Sequence, residues 1–594
     1  MRKLPLILIL LGFWILFVCP AVQAAENPQS AAASAVNQIV SQAEAFRKES
    51  YYKKMTPELE EEKPEVVAEQ EEEKLAGEDK GPFFTISKIT FEGNTLFTDQ
   101  DFAQYTSQFI NRETSFVQLR NLAKLITNHY RAAGYISSRA YIPPQRVEES
   151  TVIIRIVEGK LGKVVVEGNK YFASNVYASA FKSQQDKVLR FQEIENTLYF
   201  VNQKPDRKAR AYLMAGEEPT TSDLVLKAEE TFPFHMYYEF NNRGTKLTHR
   251  SRHLIHVDNN NFLGYGDILN TSLALAEQGA FGAGQFDYSF PIESTGTTLG
   301  LGGSWSDSLL IGYLKPEEIK GISSTYTPSV TQSFIKKPTF ALDGFLGYEI
   351  KDSKTTVADN KVNFDRLRIL RVGPRITTQD PNGRNVFSAD LHWGMPNFLG
   401  SNSPNDVNSS TANSGGEFTY WTANAARLQR LPWASYVLLR AGGQLTDLNH
   451  PSPEQFRAGG AFSVRGYPEA DAVGDYGYNF SAELNFPVPF LPTDWQVPYT
   501  KKTWYEAFRL VGFIDGGQTF KRERSYSQEI KDRFLLGTGF RFFRQPPIAI
   551  TPCPPWPDTK NSTRSATRIS SPSRRGKALL SPGSPVRVVL PRSG

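Results

Sequence analysis

Phe480-Ser481-Ala482-Glu483-Leu484-Asn485-Phe486 alternates without a break. In an extended chain Phe480, Ala482, Leu484 and Phe486 share one side, and Ser481, Glu483 and Asn485 share the other. An apolar face opposite a polar face, at period two, marks a half-exposed strand. The pattern recurs at 267–276, where Leu269, Thr271, Leu273 and Leu275 oppose Asn270, Ser272 and Ala274. It returns at 508–515, with Leu510, Gly512 and Ile514 opposite Arg509, Val511, Phe513 and Asp515. No helical period interrupts residues 232–543. A soluble sandwich would alternate too. The region is long for one sandwich, however, and many segments run to about ten residues, the length that crosses lipid when tilted. Charges such as Glu483 and Asp515 on the polar face suit a wet lumen better than a dry core. Backbone groups in lipid must all pair, so such a sheet must close. Strands are expected near residues 234, 252, 267, 284, 297, 329, 339, 365, 385, 417, 435, 476, 507 and 533, an even fourteen.

Composition agrees. The 594 residues include 40 Phe, 25 Tyr, 8 Trp and 44 Gly, which suits strands and tight turns. No interior stretch approaches the roughly 18–20 apolar residues of a spanning helix, which excludes a multi-helix membrane protein. The formal charge of +5 misleads. Residues 545–594 hold eight basic side chains against Asp558; without them the chain carries −2. A mildly acidic body makes nucleic acid a poor partner.

Upstream of the strands lies an internal repeat. Ile89-Thr90-Phe91-Glu92-Gly93-Asn94 recurs as Val164-Val165-Val166-Glu167-Gly168-Asn169. Gly-Asn tolerates the left-handed backbone, so each copy reads as a strand and a turn. The first unit, 83–158, continues with a helix over 98–109. A second helix follows with Phe116, Leu119, Leu122, Ala123, Ile126 and Tyr130 on one face, ended by Gly134. Strands at 138–142 and 151–157 close it. The second unit, 159–230, repeats the β-α-α-β-β order: a strand at 162–167, helices at 174–181 and 190–201, and strands at 208–213 and 223–228. A small sheet with a free edge can accept an extended peptide as a further strand.

Before the repeats, 25–82 is acidic and of low complexity, with Glu60-Glu61-Glu62 and Glu71-Glu72-Glu73. It cannot bury enough apolar surface to offset chain entropy, and reads as a mobile linker with a short helix at 32–46. Residues 1–24 have the basic start, the apolar run Leu4 to Val18 and the small-residue cleavage site of a secretory signal peptide. Cys19 and Cys553 are the two cysteines, so the body has neither disulfide nor thiolate metal site.

The connection before 476 carries Gly459-Gly460-Ala461-Phe462-Ser463-Val464-Arg465-Gly466-Tyr467, and one strand later comes Phe513-Ile514-Asp515-Gly516-Gly517. In this order, behind two repeats, the chain over 83–544 resembles the two-partner secretion transporters, the hemolysin-activation/secretion family of the outer-membrane assembly superfamily. The resemblance implies two periplasmic polypeptide-transport-associated (POTRA) domains and a transmembrane barrel of 16 strands, of which 231–544 holds all but the last two. It implies a sixth extracellular loop folded into the lumen, whose arginine, matching Arg465, contacts an inner-wall acid, matching Asp515. Chemistry supports that pairing, because a guanidinium holds a carboxylate through two parallel hydrogen bonds. Val464, Arg465, Gly466, Tyr467, Phe513, Asp515 and Gly517 are therefore the expected lock, with Glu483 a second candidate partner.

The expected function is export of an unfolded periplasmic exoprotein, of adhesin or hemolysin type, to the cell surface. The resemblance implies that passage is driven by the partner folding outside. Outer-membrane lipid and the membrane's assembly machinery are the other expected partners. No enzyme, cofactor or metal is expected. His253 and His256 fall on opposite faces of a strand, and Gly300-x-Gly302-Gly303 lacks the helix of a phosphate loop. The alternatives are an insertase for other barrels and a passive porin, although a porin needs no peptide-binding arm. The ending departs from the family. Pro546-Pro547, Pro552, Pro554, Pro555 and Pro557 forbid central strands, so 545–594 is expected to be an aberrant tail, from a shifted reading frame near Arg544, standing where two last strands belong.

Overall fold

A computed structural model describes residues 66–68, 83–146, 150–218, 220–488, 490–497, 503–522 and 532–544. The expected signal peptide, the helix at 32–46 and the tail at 545–594 lie outside the described residues.

The linker is not wholly free. Val66–Ala68 forms strand β1, and Val66 packs against the core of the second repeat. Two consecutive β-branched residues within an acidic run supply what a strand needs.

In the first repeat, β2 (Phe83–Thr85) pairs with β4 (Glu113–Ser115), and β3 (Lys88–Glu92) lies parallel to β6 (Thr151–Val157), which pairs antiparallel with β5 (Arg139–Tyr141). The helix Phe116–Ala132 starts on a capping box of Ser115 and Gln118, and buries Leu119, Leu122, Ile126 and Tyr130. Gly134, at φ 93°, follows its end. The helix expected over 98–109 is shorter: a 3₁₀ turn, Asp99–Phe102, runs into one α-turn, Ala103–Thr106. The second repeat follows the same plan. Here β7 (Lys160–Glu167) lies parallel to β9 (Thr221–Glu230), which pairs antiparallel with β8 (Arg207–Ala215), and β1 adds to the outer side of β8.

The Gly-Asn turn does the same work twice. A Cβ on Gly93 would stand 2.3 Å from the Ile156 carbonyl oxygen, and one on Gly168 would stand 2.9 Å from that of Ala228. Both glycines have positive φ. Each following asparagine then folds back, Asn94 Nδ2 donating to Phe97 O and Asn169 Nδ2 to Phe172 O. A glutamate at the end of the last strand gathers the freed amides. Glu158 accepts from the Thr95 and Leu96 amides and the Tyr130 hydroxyl; Glu230 accepts from the Lys170 and Tyr171 amides and the Tyr177 hydroxyl. Gly93→Ala should therefore destabilise the first repeat by about 2–3 kcal/mol, read as earlier proteolysis of 83–158 on heating, with the barrel transition unmoved.

Burial pushes the Glu158 carboxyl up, but the Thr95 hydroxyl, the Leu96 and Thr95 amides and the Tyr130 hydroxyl outweigh it and hold it below its ordinary value. A carboxylate depressed in the folded state contributes stability above its unfolded pKa and loses it as pH falls through the folded value. The first repeat should accordingly loosen on acidification, and Glu158→Gln should flatten that dependence in hydrogen exchange.

Fourteen strands then form one antiparallel sheet in chain order, apart from a hairpin set inside one connection. They are β10 (Phe234–Asn241), β11 (Arg252–Asn259), β12 (Ile268–Ala276), β13 (Phe281–Ile292) and β14 (Thr297–Leu309). Next come β15 (Lys320–Lys337), β16 (Phe340–Val357), β17 (Asn360–Asp380), β18 (Gly383–Gly394), β19 (Phe418–Leu431) and β20 (Ser435–Thr446). The hairpin is β21 (Phe456–Ala458) with β22 (Ala472–Gly474), and β23 (Tyr476–Pro487), β24 (Phe508–Phe520) and β25 (Arg533–Arg544) complete the sheet. All fourteen expected strands are present. The sixteen implied by resemblance are not reached: among the described residues, β10 and β25 each pair with one strand and not with each other.

The two faces separate as the alternation demands. Phe480, Leu484, Ile514, Leu536 and Phe540 are exposed, while Ser481, Glu483, Asn485 and Asp515 are buried. Apolar outside and charged inside is the pattern of a barrel wall in lipid. The second repeat rests on the near-end turns. Asn261 Nδ2 donates to Tyr171 O at 2.8 Å, and His235 and Asp206 meet at 2.7 Å. Counted from that end, the connection 447–475 is the sixth at the far end.

Candidate luminal lock

The sixth far-end connection does not project outward. Its stem is the β21–β22 hairpin, whose Phe456, Ala458 and Ala472 cluster with Val464 and with Leu535 of β25. Gly459 and Gly460, at φ 105° and 107°, turn the chain from the stem into the tip. A side chain on Gly460 would collide with the Glu469 carboxylate, which accepts the Ala461 amide at 2.9 Å. Gly466, at φ 96°, makes the second sharp bend, with open space around it.

Between these bends Arg465 lies against the wall. Its Nε and Nη2 donate to the two oxygens of Asp515, each at 2.6 Å, and its backbone amide adds a third bond at 3.0 Å. Its Nη1 donates to Glu483 at 2.6 Å, and Nη2 also reaches the Ser481 hydroxyl at 3.1 Å. The guanidinium carbon stands 3.8 Å from the centre of the Phe513 ring. Two carboxylates and an aromatic face thus meet one planar cation, geometry that Arg fits and Lys does not. Asp515 is 0% and Glu483 4% exposed, so each carboxylate depends on partners for its charge. Glu483 has others: Arg440 at 2.9 Å and Arg541 at 3.6 Å.

The expected residues therefore converge. Arg465, Asp515, Glu483 and Phe513 touch, and Val464 is buried beside Gly517, where a Cβ would approach Val464 Cγ2 at 3.1 Å. Tyr467 packs against the stem cluster without joining the ion pair. Several residues escaped the sequence. A Cβ on Gly537 would stand 2.0 Å from the Arg465 carbonyl oxygen, so this glycine admits the loop to the wall. Leu535, Gly537 and Gly539 line one face of β25, and small residues at alternate inward positions were the signal for it. Arg440 and Arg541 lie on polar faces that alternation marks but cannot pair. At the loop's tip the Phe462 ring takes the Arg243 guanidinium at 5.2 Å, and Arg243 follows β10. The excluded histidines go separate ways, His253 to the Tyr238 hydroxyl and His256 to that of Ser272.

Comparison with known proteins agrees with this architecture. The family model "Haemolysin secretion/activation protein ShlB/FhaC/HecB" matches residues 220–541, and "POTRA domain, ShlB-type" matches 84–159. The heme/hemopexin transporter protein HuxB of Haemophilus influenzae (strain 86-028NP) is 25% identical over 478 residues, 78% of this chain and 81% of that protein. The outer membrane transporter CdiB of Dickeya dadantii (strain 3937) is 25% identical over 470 residues, 75% and 78% of the two chains. The solved structure of CdiB from Escherichia coli shares the fold, with a TM-score of 0.61 at 19% identity, covering 88% of this chain and 94% of that one. With more than half its length matched by one family model, the chain belongs to the haemolysin secretion/activation (ShlB/FhaC/HecB) family of outer-membrane transporters.

Proposed function

We propose that this transporter exports one dedicated exoprotein, of adhesin or hemolysin type, and that the Arg465 lock keeps its lumen shut until that cargo arrives. As a member of its family it is an outer-membrane β-barrel with periplasmic N-terminal repeats, and it secretes a partner protein. The observation that carries the finer reading is the buried tie from Arg465 to Asp515 and Glu483, which holds a long loop inside the sheet instead of outside it. A loop so held fills a pore that water would otherwise enter.

The repeats supply the receiving arm. Their sheets leave backbone edges to which an unfolded chain can add as a strand. In the first repeat β5 is an edge; in the second β7 is an edge, whereas β8 is covered by β1. Cargo that is extended and unfolded on arrival fits such edges, and no catalysis or cofactor enters the proposal.

Co-expression with a candidate exoprotein, a very long, β-rich secreted chain sought in the neighbouring open reading frame, tests it. The cargo should appear outside cells with the full chain and stay periplasmic when residues 83–230 are deleted. Unchanged release by the deleted chain would overturn the role of the repeats. Loss of other barrels from the membrane on depletion would instead mark an insertase.

A further inference from the structure

The lock just described holds the tip of the loop. The stem is held too, by groups outside the family motif. Glu454, at the foot of the hairpin, meets Lys351 of β16 at 2.5 Å and accepts the Tyr420 hydroxyl of β19 at 2.5 Å. Gln444 of β20 donates to the Glu454 carbonyl oxygen at 2.8 Å. All of this is out of water: Lys351 is 1% and Glu454 4% exposed. Lys351 also faces Glu349 at 3.7 Å, and Arg371 links Glu349 at 2.7 Å to Asp390 at 3.5 Å.

The two holds differ in what they leave behind. If the stem lifts, Lys351 keeps Glu349, and Arg371 keeps both Glu349 and Asp390. Two cations and two anions remain on the wall, each with a partner, so no buried charge is stranded. If the tip lifts, Glu483 keeps Arg440 and Arg541, but the ion pair of Asp515 is lost. Lifting the tip therefore leaves a buried wall charge without its ion pair, and lifting the stem does not. The side-chain ties also sit on different strands, that of Glu454 on β16 and β19 and that of Arg465 on β23 and β24, so neither substitutes for the other.

The structure assigns Glu454, held by Lys351 and Tyr420, as a second luminal anchor, separate from the Arg465 tip, that keeps the loop stem in the pore when the tip is detached. Glu454 is a positioning residue. The inference rests on the loop being the plug of the proposed exporter, and it is tested without cargo so that the two can fail separately.

The experiment is single-channel conductance of the full chain in planar bilayers. With Arg465→Ala alone, the tethered stem should give brief, partial openings. Adding Glu454→Ala should convert these to sustained openings, raising open time about tenfold. Adding Lys351→Met instead should do the same, and all three changes together should add little more, because partners in one contact are not additive. Multiplying effects of Glu454→Ala and Lys351→Met, or no effect of Glu454→Ala in the Arg465→Ala background, would overturn the assignment. A Glu454→Cys/Tyr420→Cys pair bridged by a short bismaleimide guards against misfolding as an explanation. In the Arg465→Ala background the bridge should restore the partial openings, and sustained openings despite a verified bridge would likewise refute the anchor.

Discussion

Arg465→Ala should leave the barrel inserted and abolish secretion of the partner. The cation serves two buried carboxylates, and removing one member of such a set costs about 3–5 kcal/mol. Asp515, at 0% exposure, would lose its ion pair and could recover only by taking in water. Water in that corner opens the wall side of the loop, so the tip would wander and block the path intermittently. Cargo outside the cell, scored against the amount of heat-modifiable barrel in the membrane, is the measurement. Normal export by a well-inserted variant would remove the lock from the account of function.

Gly537→Val is expected to release the loop just as fully while keeping every charge in place. The added Cβ alone would stand 2.0 Å from the Arg465 carbonyl oxygen and 3.5 Å from Val464. Contacts of 2 Å cannot be relieved by rotating a side chain, because the offended atom is backbone. The tip must therefore move off β25, and the distances near 2.6 Å from Arg465 to Asp515 and Glu483 must lengthen with it. Conductance should rise as in Arg465→Ala, and secretion should fall by tenfold or more, on the order of 1.4 kcal/mol per tenfold. A serine at the same place should be intermediate. If valine there leaves conductance and export untouched, the loop does not sit against β25 in the membrane.

Much of this was legible in the sequence because the relevant signals are local. Period-two alternation depends on neighbours along one strand, and all fourteen strands could be placed from it. Arg465 and Asp515 could be paired through the family resemblance that the short motif around each carries. Glu454, Lys351 and Tyr420 could not be. Their pairing joins two strands three apart in the sheet and a loop that folds back over them, and no spacing in the chain encodes it. Gly537 illustrates a different difficulty: a glycine on an inward face announces a close approach but not by what. The linker failed for composition's sake. Averaged over its length it is acidic and polar, and the average hides Val66-Val67, two residues that suffice for a strand when an edge is at hand.

Phe462 at the tip of the loop lies over Arg243, just beyond the first strand, while the same loop packs on Leu535 and Gly537 of the last. The loop thus doubles as a clasp across the side where, among the described residues, β10 and β25 do not pair. Under the proposed export, lifting it to admit cargo would slacken the cylinder at its weakest line, so gate and hoop would yield in the same motion.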